Sequence, residues 1–364
     1  MADNREVEVT GMRSNRSPVR GRGAAENPPN RFETLTYARD PEDTGPDDPA
    51  PQTQFLKDPS RSLITYNESP DVGFEASINP YRGCEHGCIY CYARPTHEYL
   101  GFSAGLDFET KILVKEDAPE LLRRELSSPR WKPQPLAISG VTDPYQPVER
   151  RLQLTRQCLA VLAEFRNPVV IITKNHLVTR DLDLLSELAR HRAAAVYLSI
   201  TTLDASLART MEPRTSQPAR RLAAIEALAR AGVPAGVLVA PVIPGLTDHE
   251  MSAIIAAAAK AGARFAGYVL LRLPHAVAPL FEAWLTQHHN SKKGKVLNRI
   301  RAMRGGRLND PRFGSRMKGE GIFAEQIAQL FSLACRQVRL GAQDFSLSTA
   351  AFRRPRPAQP SLFE

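Results

Sequence analysis

Short apolar runs alternate with amphipathic helical patterns through the middle of this 364-residue chain. The runs are predicted to be strands, at 74–80, 135–140, 168–173, 195–201, 235–241 and 267–271. The segments between them carry apolar residues at helical spacing, at 151–165, 181–191, 219–231 and 248–261. Repeated strand–helix units form parallel sheets with right-handed crossovers, so the sequence predicts an α/β fold, built as an open sheet or a barrel.

Residues able to bind a cofactor follow several of the predicted strands directly. In β/α barrels the active site forms at the carboxyl ends of the strands, so this placement favours a barrel, and six units make a partial one. Two more helices are predicted near the C-terminus, at 296–303 and 323–338, joined by a basic loop that contains glycine. We expect these helices to close the open side of the barrel or to cap its mouth.

Three cysteines follow the first predicted strand within a single loop. Cys84, Cys88 and Cys91 stand in the run Cys-Glu-His-Gly-Cys-Ile-Tyr-Cys, a C-x3-C-x2-C spacing. A four-iron cluster is bound by cysteine thiolates, and three protein ligands leave one iron open to an exogenous ligand. The spacing therefore predicts an iron–sulfur site that takes part in chemistry.

Zinc is the main alternative at this loop. Three cysteines and a histidine form a common structural zinc site, and His86 and His97 both lie near the three thiols. Zinc modules usually supply a second pair of ligands after a longer spacer, and none follows here. Under this alternative, the chain would be a zinc-stabilised nucleic-acid-binding protein without catalytic turnover.

The cysteine spacing, with Tyr90 directly before the last cysteine, resembles the signature of radical S-adenosylmethionine (SAM) enzymes. Several segments together resemble the branch of that superfamily related to spore photoproduct lyase: 77–92, 138–149, 171–175, 198–202 and 211–215. The resemblance implies a partial (β/α)6 barrel of the radical SAM type with a C-terminal helical extension. It also implies a [4Fe-4S] cluster whose open iron binds SAM, a 5′-deoxyadenosyl radical that abstracts hydrogen from a substrate, and a reducing electron donor such as flavodoxin or ferredoxin.

The resemblance also implies which residues bind the cofactor. Tyr90 is expected near the adenine ring. After the second strand, Gly140 permits close backbone approach, and Thr142 and Asp143 offer acceptors for the amino group of the methionine moiety. The alternative for Asp143 is an ordinary Asx turn before Pro144.

Further cofactor candidates follow the third and fourth strands. Lys174 is expected to pair with the methionine carboxylate or with substrate, and Ser199 and Thr201, on one face of a strand, are candidates for the ribose. Arg214 is a second candidate for the carboxylate, because a guanidinium matches it in a two-pronged geometry. The alternative is that Glu212 pairs with Arg214 within the loop.

One position departs from the lyase that this branch is named after. The lyase uses a cysteine beside the cofactor-binding turn to return hydrogen to its product radical, and Val141 stands in the corresponding place here. Valine has no S–H bond to donate. Tyr92, Tyr99 and Tyr145 are candidates for a different hydrogen donor.

Charge and composition divide the chain into four predicted segments. Residues 1–60, rich in Pro, Gly, Asn, Asp and Arg, are predicted to be a largely disordered extension. Residues 61–284 form the barrel core, 285–352 a basic helical extension, and 353–364 a flexible tail. Residues 285–364 hold 15 Lys and Arg against 5 Asp and Glu.

That basic surplus makes nucleic acid a candidate partner through counterion release. The candidate phosphate-binding residues are Lys292, Lys293, Lys295, Arg299, Arg301 and Arg304. An odd number of cysteines, five, three of them clustered, suits a reducing compartment. No apolar run is long enough to span a membrane and no secretory signal begins the chain, so we expect no membrane partner and a cytoplasmic location. Cys158 and Cys335 are expected to be buried small hydrophobic residues.

Overall fold

A seven-stranded sheet forms the centre of the described part of the protein. The structure, a computed structural model, describes residues 18–33, 51–341 and 346–355. The strands in chain order are β1 (Gln54–Lys57), β2 (Ile64–Tyr66), β3 (Ala76–Ile78), β4 (Tyr81–Arg82), β5 (Lys111–Val114), β6 (Leu136–Ile138), β7 (Val169–Thr173), β8 (Ala194–Ser199), β9 (Ala235–Val242) and β10 (Phe265–Leu270). The large sheet has the order β10-β9-β8-β7-β6-β3-β2, and β1, β5 and β4 form a small separate sheet.

The large sheet is parallel apart from one edge. Strands β3, β6, β7, β8, β9 and β10 pair in parallel, and β2 pairs with β3 in the antiparallel sense. Each predicted strand overlaps one of these six, because runs such as Val169–Thr173 are rich in β-branched residues and are buried or half-buried. The sheet keeps β10 and β2 as edge strands in the described residues, so the barrel is open.

Helices connect the strands and cover the outer face of the sheet. They are α1 (Leu106–Thr110), α2 (Ala118–Ser127), α3 (Glu149–Leu152), α4 (Leu154–Phe165), α5 (Leu182–Arg190), α6 (Ala205–Met211), α7 (Pro218–Arg230), α8 (Met251–Lys260), α9 (Val277–His288), α10 (Asn290–Ala302), α11 (Ser315–Lys318) and α12 (Ile322–Gln337). Short 3-10 helices are formed by Arg94–Leu100, His176–Asp181 and Asp248–Glu250. Helices α4, α5, α7 and α8 correspond to the four predicted crossover helices and bury their apolar faces.

The C-terminal helices lie beside the last strand of the sheet. The predicted helices at 296–303 and 323–338 overlap α10 and α12. Phe331 of α12 packs on Tyr268 of β10, with ring centroids 4.8 Å apart. Helix α12 therefore covers the side of the barrel that ends at β10. Cys158 in α4 and Cys335 in α12 are both buried, as predicted.

Part of the chain before residue 60 lies against the core. Strand β1 pairs in parallel with β5, which supplies backbone hydrogen-bond partners to a segment with few apolar residues. Asn30 donates hydrogen bonds from its amide to the carbonyls of Glu98 and Phe102, both at 2.9 Å. Residues 1–17 and 34–50 of the predicted extension, and 356–364 of the predicted tail, lie outside the described residues.

None of the helices in the described ranges combines the length and the apolarity that a bilayer crossing requires.

Candidate active site

A cavity of about 260 Å³ opens at the carboxyl ends of the parallel strands. Most of its surface is apolar, and a few polar groups project into it. Its walls are contributed by the loops after β4, β6 and β7 and by the ends of β8, β9 and β10. Lining residues include Cys84, Cys88, Cys91, Gly140, Lys174 and Arg272.

The cysteine loop folds into two consecutive tight turns. The Gly87 N–H donates to the Cys84 carbonyl at 3.3 Å, and the Cys91 N–H donates to the Cys88 carbonyl at 3.2 Å. Gly87 has φ of +66°, and a Cβ at that position would lie 2.6 Å from Oε2 of Glu109. Glycine is therefore required there, and the turns bring all three cysteines to the same cavity.

A buried ion pair supports this loop from behind. Arg94 and Glu109 are both fully buried, with Nη2 of Arg94 2.5 Å from Oε1 of Glu109. The same guanidinium donates to the carbonyls of Gly87 at 3.2 Å and Cys88 at 3.0 Å. Glu109 also accepts the N–H of Gly23 at 3.0 Å. The shape of the loop is thus fixed by contacts from the 3-10 helix that follows it, through Arg94, and from the N-terminal segment, through Gly23.

The three thiols fit a metal cluster. Burial raises the pKa of Cys84, Cys88 and Cys91 above that of an exposed thiol. Metals bind the thiolate, so a bound cluster must supply the positive charge that removes these protons. Three soft donors on one short loop, facing a mostly apolar cavity, are the donor set that an iron–sulfur cluster takes from a protein.

The two nearby histidines have other partners. The Nδ1 atom of His86 lies 3.4 Å from the Asp143 carboxylate, and its Nε2 atom lies 3.2 Å from the Asn175 amide. Nε2 of His97 lies 2.9 Å from the Lys111 carbonyl. Within the described residues, no three His, Cys, Asp or Glu side chains are arranged to hold a single ion. The contacts of the histidines do not support the Cys3His zinc site.

Asp143 joins the loops that follow β6 and β7. Its carboxylate accepts hydrogen bonds from the Thr173 hydroxyl and the Lys174 N–H, each at 2.7 Å, and from the Tyr145 N–H at 2.9 Å. Burial opposes ionisation of Asp143, but His86 and these donors outweigh it and lower the pKa of the carboxyl below its usual range. Asp143 therefore lines the cavity as an anion that already accepts three hydrogen bonds from the protein.

Lys174 occupies the centre of the strand ends. Its Nζ atom donates to the Ser199 hydroxyl at 2.7 Å and the Ala240 carbonyl at 2.9 Å, and lies 3.4 Å from the Glu212 carboxylate. Lys174 and Ser199 both line the cavity. The hydroxyl of Thr201, 3.3 Å from Nζ, is fully buried behind them.

Glu212 anchors the network beneath Lys174. It accepts a hydrogen bond from the Tyr90 hydroxyl and forms an ion pair with Arg221, and both charged side chains are fully buried. Arg221 in turn donates to the Ser199 carbonyl at 2.9 Å. Burial works against the Glu212 anion, but Arg221 and Lys174 outweigh it and hold the pKa of Glu212 well below its usual range. Glu212 therefore fixes the positions of Tyr90 and Lys174.

The turn after β6 leaves open space beside the cysteine loop. Gly140 has φ of +105°, and a Cβ there would meet no atom within 4 Å. The hydroxyl of Tyr92 donates to the Gly140 carbonyl at 2.6 Å and so ties the cysteine loop to this turn. Thr142 donates to the Tyr81 carbonyl at 3.2 Å and also lines the cavity.

Comparison with known proteins identifies the family. Residues 78–258 match the family model of the Radical SAM superfamily, a stretch that contains the three cysteines and strands β6 to β9. The chain belongs to the radical SAM superfamily. Membership places it among enzymes that use SAM, which generally need an iron–sulfur cluster and an electron donor.

Several relatives of this radical SAM protein share its sequence over half of the chain or more. An uncharacterised protein of Mycobacterium tuberculosis is 40% identical over 218 residues, which is 59% of this chain and 64% of the relative. An uncharacterised protein of Methanocaldococcus jannaschii is 30% identical over 197 residues, 54% of this chain and 71% of the relative. The match thus spans a little under two thirds of the mycobacterial relative.

Solved structures with the same fold include spore photoproduct lyase. One variant of that lyase is 17% identical, with a TM-score of 0.58, and the match covers 78% of this chain and 79% of the other. The lyase complexed with dinucleoside spore photoproduct is 16% identical, with a TM-score of 0.56 and the same coverage. At this level of identity the likeness shows the fold.

Most predicted cofactor-binding residues of this radical SAM protein meet at one cavity, and two do not line it. Gly140, Thr142, Asp143, Lys174, Ser199 and Tyr90 are lining residues. Thr201 lies behind them. Arg214 is paired with Glu85, with a nitrogen–oxygen distance of 3.1 Å, and its N–H donates to the His86 carbonyl at 3.3 Å. The alternative pairing of Arg214 with Glu212 is wrong, because Glu212 faces inward towards Arg221.

The three tyrosines suggested as hydrogen donors occupy different environments. Tyr92 lines the cavity and is 47% exposed, and desolvation of its hydroxyl by the surrounding side chains raises the pKa of that group to about 12. Tyr99 is 73% exposed and stacks on Phe32. Tyr145 is fully buried and donates to the Asp181 carboxylate at 3.1 Å. Only Tyr92 of the three has its side chain at the cavity.

Sequence reasoning missed three residues of the site. The sequence indicates Glu212 only as a possible partner of Arg214, and Arg221 lies in a helical pattern, α7, where an arginine is usually solvated. Arg272 was missed because it is a lone arginine after the last strand. The signal that was available for Arg272 is its position, two residues beyond the end of β10, where barrel active sites form.

Two of the predicted phosphate-binding residues, Arg299 and Arg304, already have partners within the protein. Arg304 is 4% exposed, and its guanidinium donates to the Leu271 carbonyl at 2.9 Å. Arg299 pairs with Asp248 at 2.9 Å. The prediction that Arg304 contacts phosphate is wrong, because the C-terminal loop needs its donors for backbone carbonyls.

Proposed function

We propose that the protein is a radical SAM enzyme that uses a [4Fe-4S] cluster on Cys84, Cys88 and Cys91 to cleave SAM reductively and abstract hydrogen from a substrate. The observation that carries this proposal is the geometry of the cysteine loop, whose three thiols face a mostly apolar cavity at the carboxyl ends of the strands. When bound, the reduced cluster and SAM supply a 5′-deoxyadenosyl radical and methionine by cleavage of a C–S bond. Flavodoxin or ferredoxin is the proposed electron donor.

The residues around the cavity have distinct roles in this proposal. Gly140 leaves room for the methionine moiety beside the cysteine loop, and Thr142 and Lys174 present polar groups to that moiety. Ser199 presents its hydroxyl to the ribose. Asp143 orders the ends of β6 and β7 and adds negative charge close to the amino group. Polar groups on an otherwise apolar wall orient a ligand while the wall excludes water.

Three further residues have supporting roles around the cofactor: Thr201, Tyr90 and Arg214. The Thr201 hydroxyl lies behind Lys174 and accepts a hydrogen bond from its Nζ atom, and we assign it the role of positioning Lys174. Tyr90 lines the cavity but its hydroxyl is held by Glu212, which leaves the ring available to an adenine. Arg214 holds Glu85 on the far side of the cysteine loop, and we assign it a supporting role.

The central experiment is reconstitution of the full chain with iron and sulfide without oxygen, followed by reduction in the presence of SAM. We expect a brown protein with four iron atoms per chain that releases 5′-deoxyadenosine. Cys88→Ala should lose at least about 100-fold of that release, since it removes a ligand of the metal itself. Cys158→Ala is the matched control, because that cysteine is buried in α4 away from the cavity. A colourless protein with one zinc ion would refute the proposal.

Tyr92 is the proposed hydrogen-atom donor to carbon radicals in the cavity. Its O–H bond would break homolytically, the hydrogen atom would pass to the radical, and the neutral phenoxyl radical would be restored by one electron from the donor protein and one proton from solvent. In D2O, 5′-deoxyadenosine released without substrate should then contain deuterium from the exchanged Tyr92 hydroxyl. Tyr92→Phe should largely abolish this label, and the exposed Tyr99→Phe should retain it. Equal labelling in both variants would exclude Tyr92.

A further inference from the structure

Arg272 is a cation on the wall of the cavity. It follows β10 by two residues, and its guanidinium carbon lies 5.1 Å from the centre of the Tyr92 ring. It lines the same cavity as the three cysteines. Contact between the end of β10 and the cysteine loop brings the last strand of the barrel to the mouth of the site.

Arg272 lacks an anionic partner among the described residues. Its Nε atom is buried and has no hydrogen-bond partner there, and its Nη1 atom lies 3.9 Å from the Met317 sulfur, a weak acceptor. Neighbouring arginines are satisfied: Arg316 pairs with Asp71, and Arg304 donates to three backbone carbonyls. Asp71, the carboxylate near Arg272, is thus already engaged.

A buried guanidinium N–H without an acceptor, such as the Nε–H of Arg272, is costly for the protein. Burial and the charge of Arg316 lower the pKa of Arg272, which shows that its surroundings disfavour the cation. Arginine nevertheless stays protonated in proteins, so the free donors require an acceptor. The open fork of a guanidinium matches the two oxygens of a carboxylate or a phosphate.

We propose that Arg272 binds an oxyanion, carboxylate or phosphate, of the substrate and thereby selects anionic substrates. The assignment to substrate rests on the proposed function, because Arg272 stacks on Tyr92, the proposed hydrogen donor to carbon radicals. Lys174, which directly follows β7, is the proposed partner of the cofactor carboxylate, which leaves Arg272 for the substrate. A substrate held by Arg272 would lie between the cysteine loop and the end of β10.

The test measures binding of inorganic pyrophosphate to the reconstituted enzyme by calorimetry, together with SAM affinity by equilibrium dialysis. We expect Arg272→Gln to weaken pyrophosphate binding about tenfold or more, because a charged two-pronged hydrogen bond is lost. Lys318→Gln is the matched control, since Lys318 is exposed beside Met317 and does not line the cavity; it should change pyrophosphate affinity less than about twofold. Arg272→Lys should fall between the wild type and Arg272→Gln.

Three results would overturn the proposal. Absence of pyrophosphate binding by the wild type is the first, and equal weakening in Arg272→Gln and Lys318→Gln, a diffuse charge effect, is the second. A matched loss of SAM affinity in Arg272→Gln is the third, since Arg272 would then hold the cofactor carboxylate. Release of 5′-deoxyadenosine from the same preparations is scored separately, so the proposed function and the role of Arg272 fail independently.

Discussion

Two arginines at the same end of the barrel contrast sharply. Arg221 is fully buried, yet its guanidinium is paired with Glu212 and donates to two backbone carbonyls. Arg272 is less buried, yet its Nε atom has no acceptor among the described residues. Closed networks such as that of Arg221 position the backbone and the polar groups of the site. An open donor such as Arg272 is available to a ligand.

The largest expected effect comes from breaking the ion pair between Glu212 and Arg221. Glu212→Gln removes the anion that compensates two cations, and we expect the free energy of unfolding to fall by about 3–5 kcal/mol, because Arg221 is left as a buried unpaired charge. Urea denaturation of the apoprotein measures this change. The double variant Glu212→Gln Arg221→Met should recover much of the loss. A fall below about 1 kcal/mol would mean that the ion pair does not hold this region together.

An intermediate test concerns the support of the cysteine loop. Gly87→Ala places a Cβ against Glu109 and forces alanine into the left-handed region, and we expect it to cost at least about 1–2 kcal/mol. Gly305→Ala is the control, since Gly305 has a similar φ of +58° and no atom within 4 Å of the added Cβ. The difference between the two unfolding free energies isolates the contact with Glu109. An equal loss of unfolding free energy in the two variants would mean that the contact with Glu109 does not constrain residue 87.

The smallest expected change in the free energy of unfolding comes from replacing Arg272. Arg272→Gln should change the free energy of unfolding by no more than about 0.5 kcal/mol, because the contacts that it loses, with the Tyr92 ring and the Met317 sulfur, are weak. Thermal unfolding of the same apoprotein preparations measures it. A destabilisation as large as that of Glu212→Gln would show that Arg272 is structural and would end the comparison.

The strands were predictable because their signal is local. Runs such as Val169–Thr173 and Ala235–Val242 are apolar and β-branched whatever surrounds them. Helix α9 was missed since Pro279 stands in its first turn, where proline is tolerated although it reads as a helix breaker. Strand β1 depends on pairing with β5, more than fifty residues away in the chain. Such long-range pairing leaves no local pattern.

The location of the cavity was predictable from the sequence, but the contacts of its residues were not. The cysteine spacing and the positions after the strands indicate the cavity, since parallel strands bring their carboxyl ends together. Hydrogen-bond partners could not be predicted this way. Arg214 is predicted to bind the cofactor carboxylate, and its ion pair with Glu85, more than a hundred residues earlier in the chain, leaves no local pattern. Arg272 acquires its meaning only from the curvature that places β10 beside Tyr92.

The hold of Glu109 on the N-terminal segment has a practical consequence for anyone preparing shorter versions of the protein. Gly23 passes so close to the cysteine loop that a Cβ on it would lie 1.7 Å from the Gly87 carbonyl oxygen, and the N–H groups of Gly23 and Ala24 both donate to Glu109. A version trimmed to residue 78, where the superfamily match begins, would strip two donors from a carboxylate sealed inside the molecule. Glu109 would then keep only its ion pair with Arg94, so trimming at that point should leave the cysteine loop less firmly held than in the full chain.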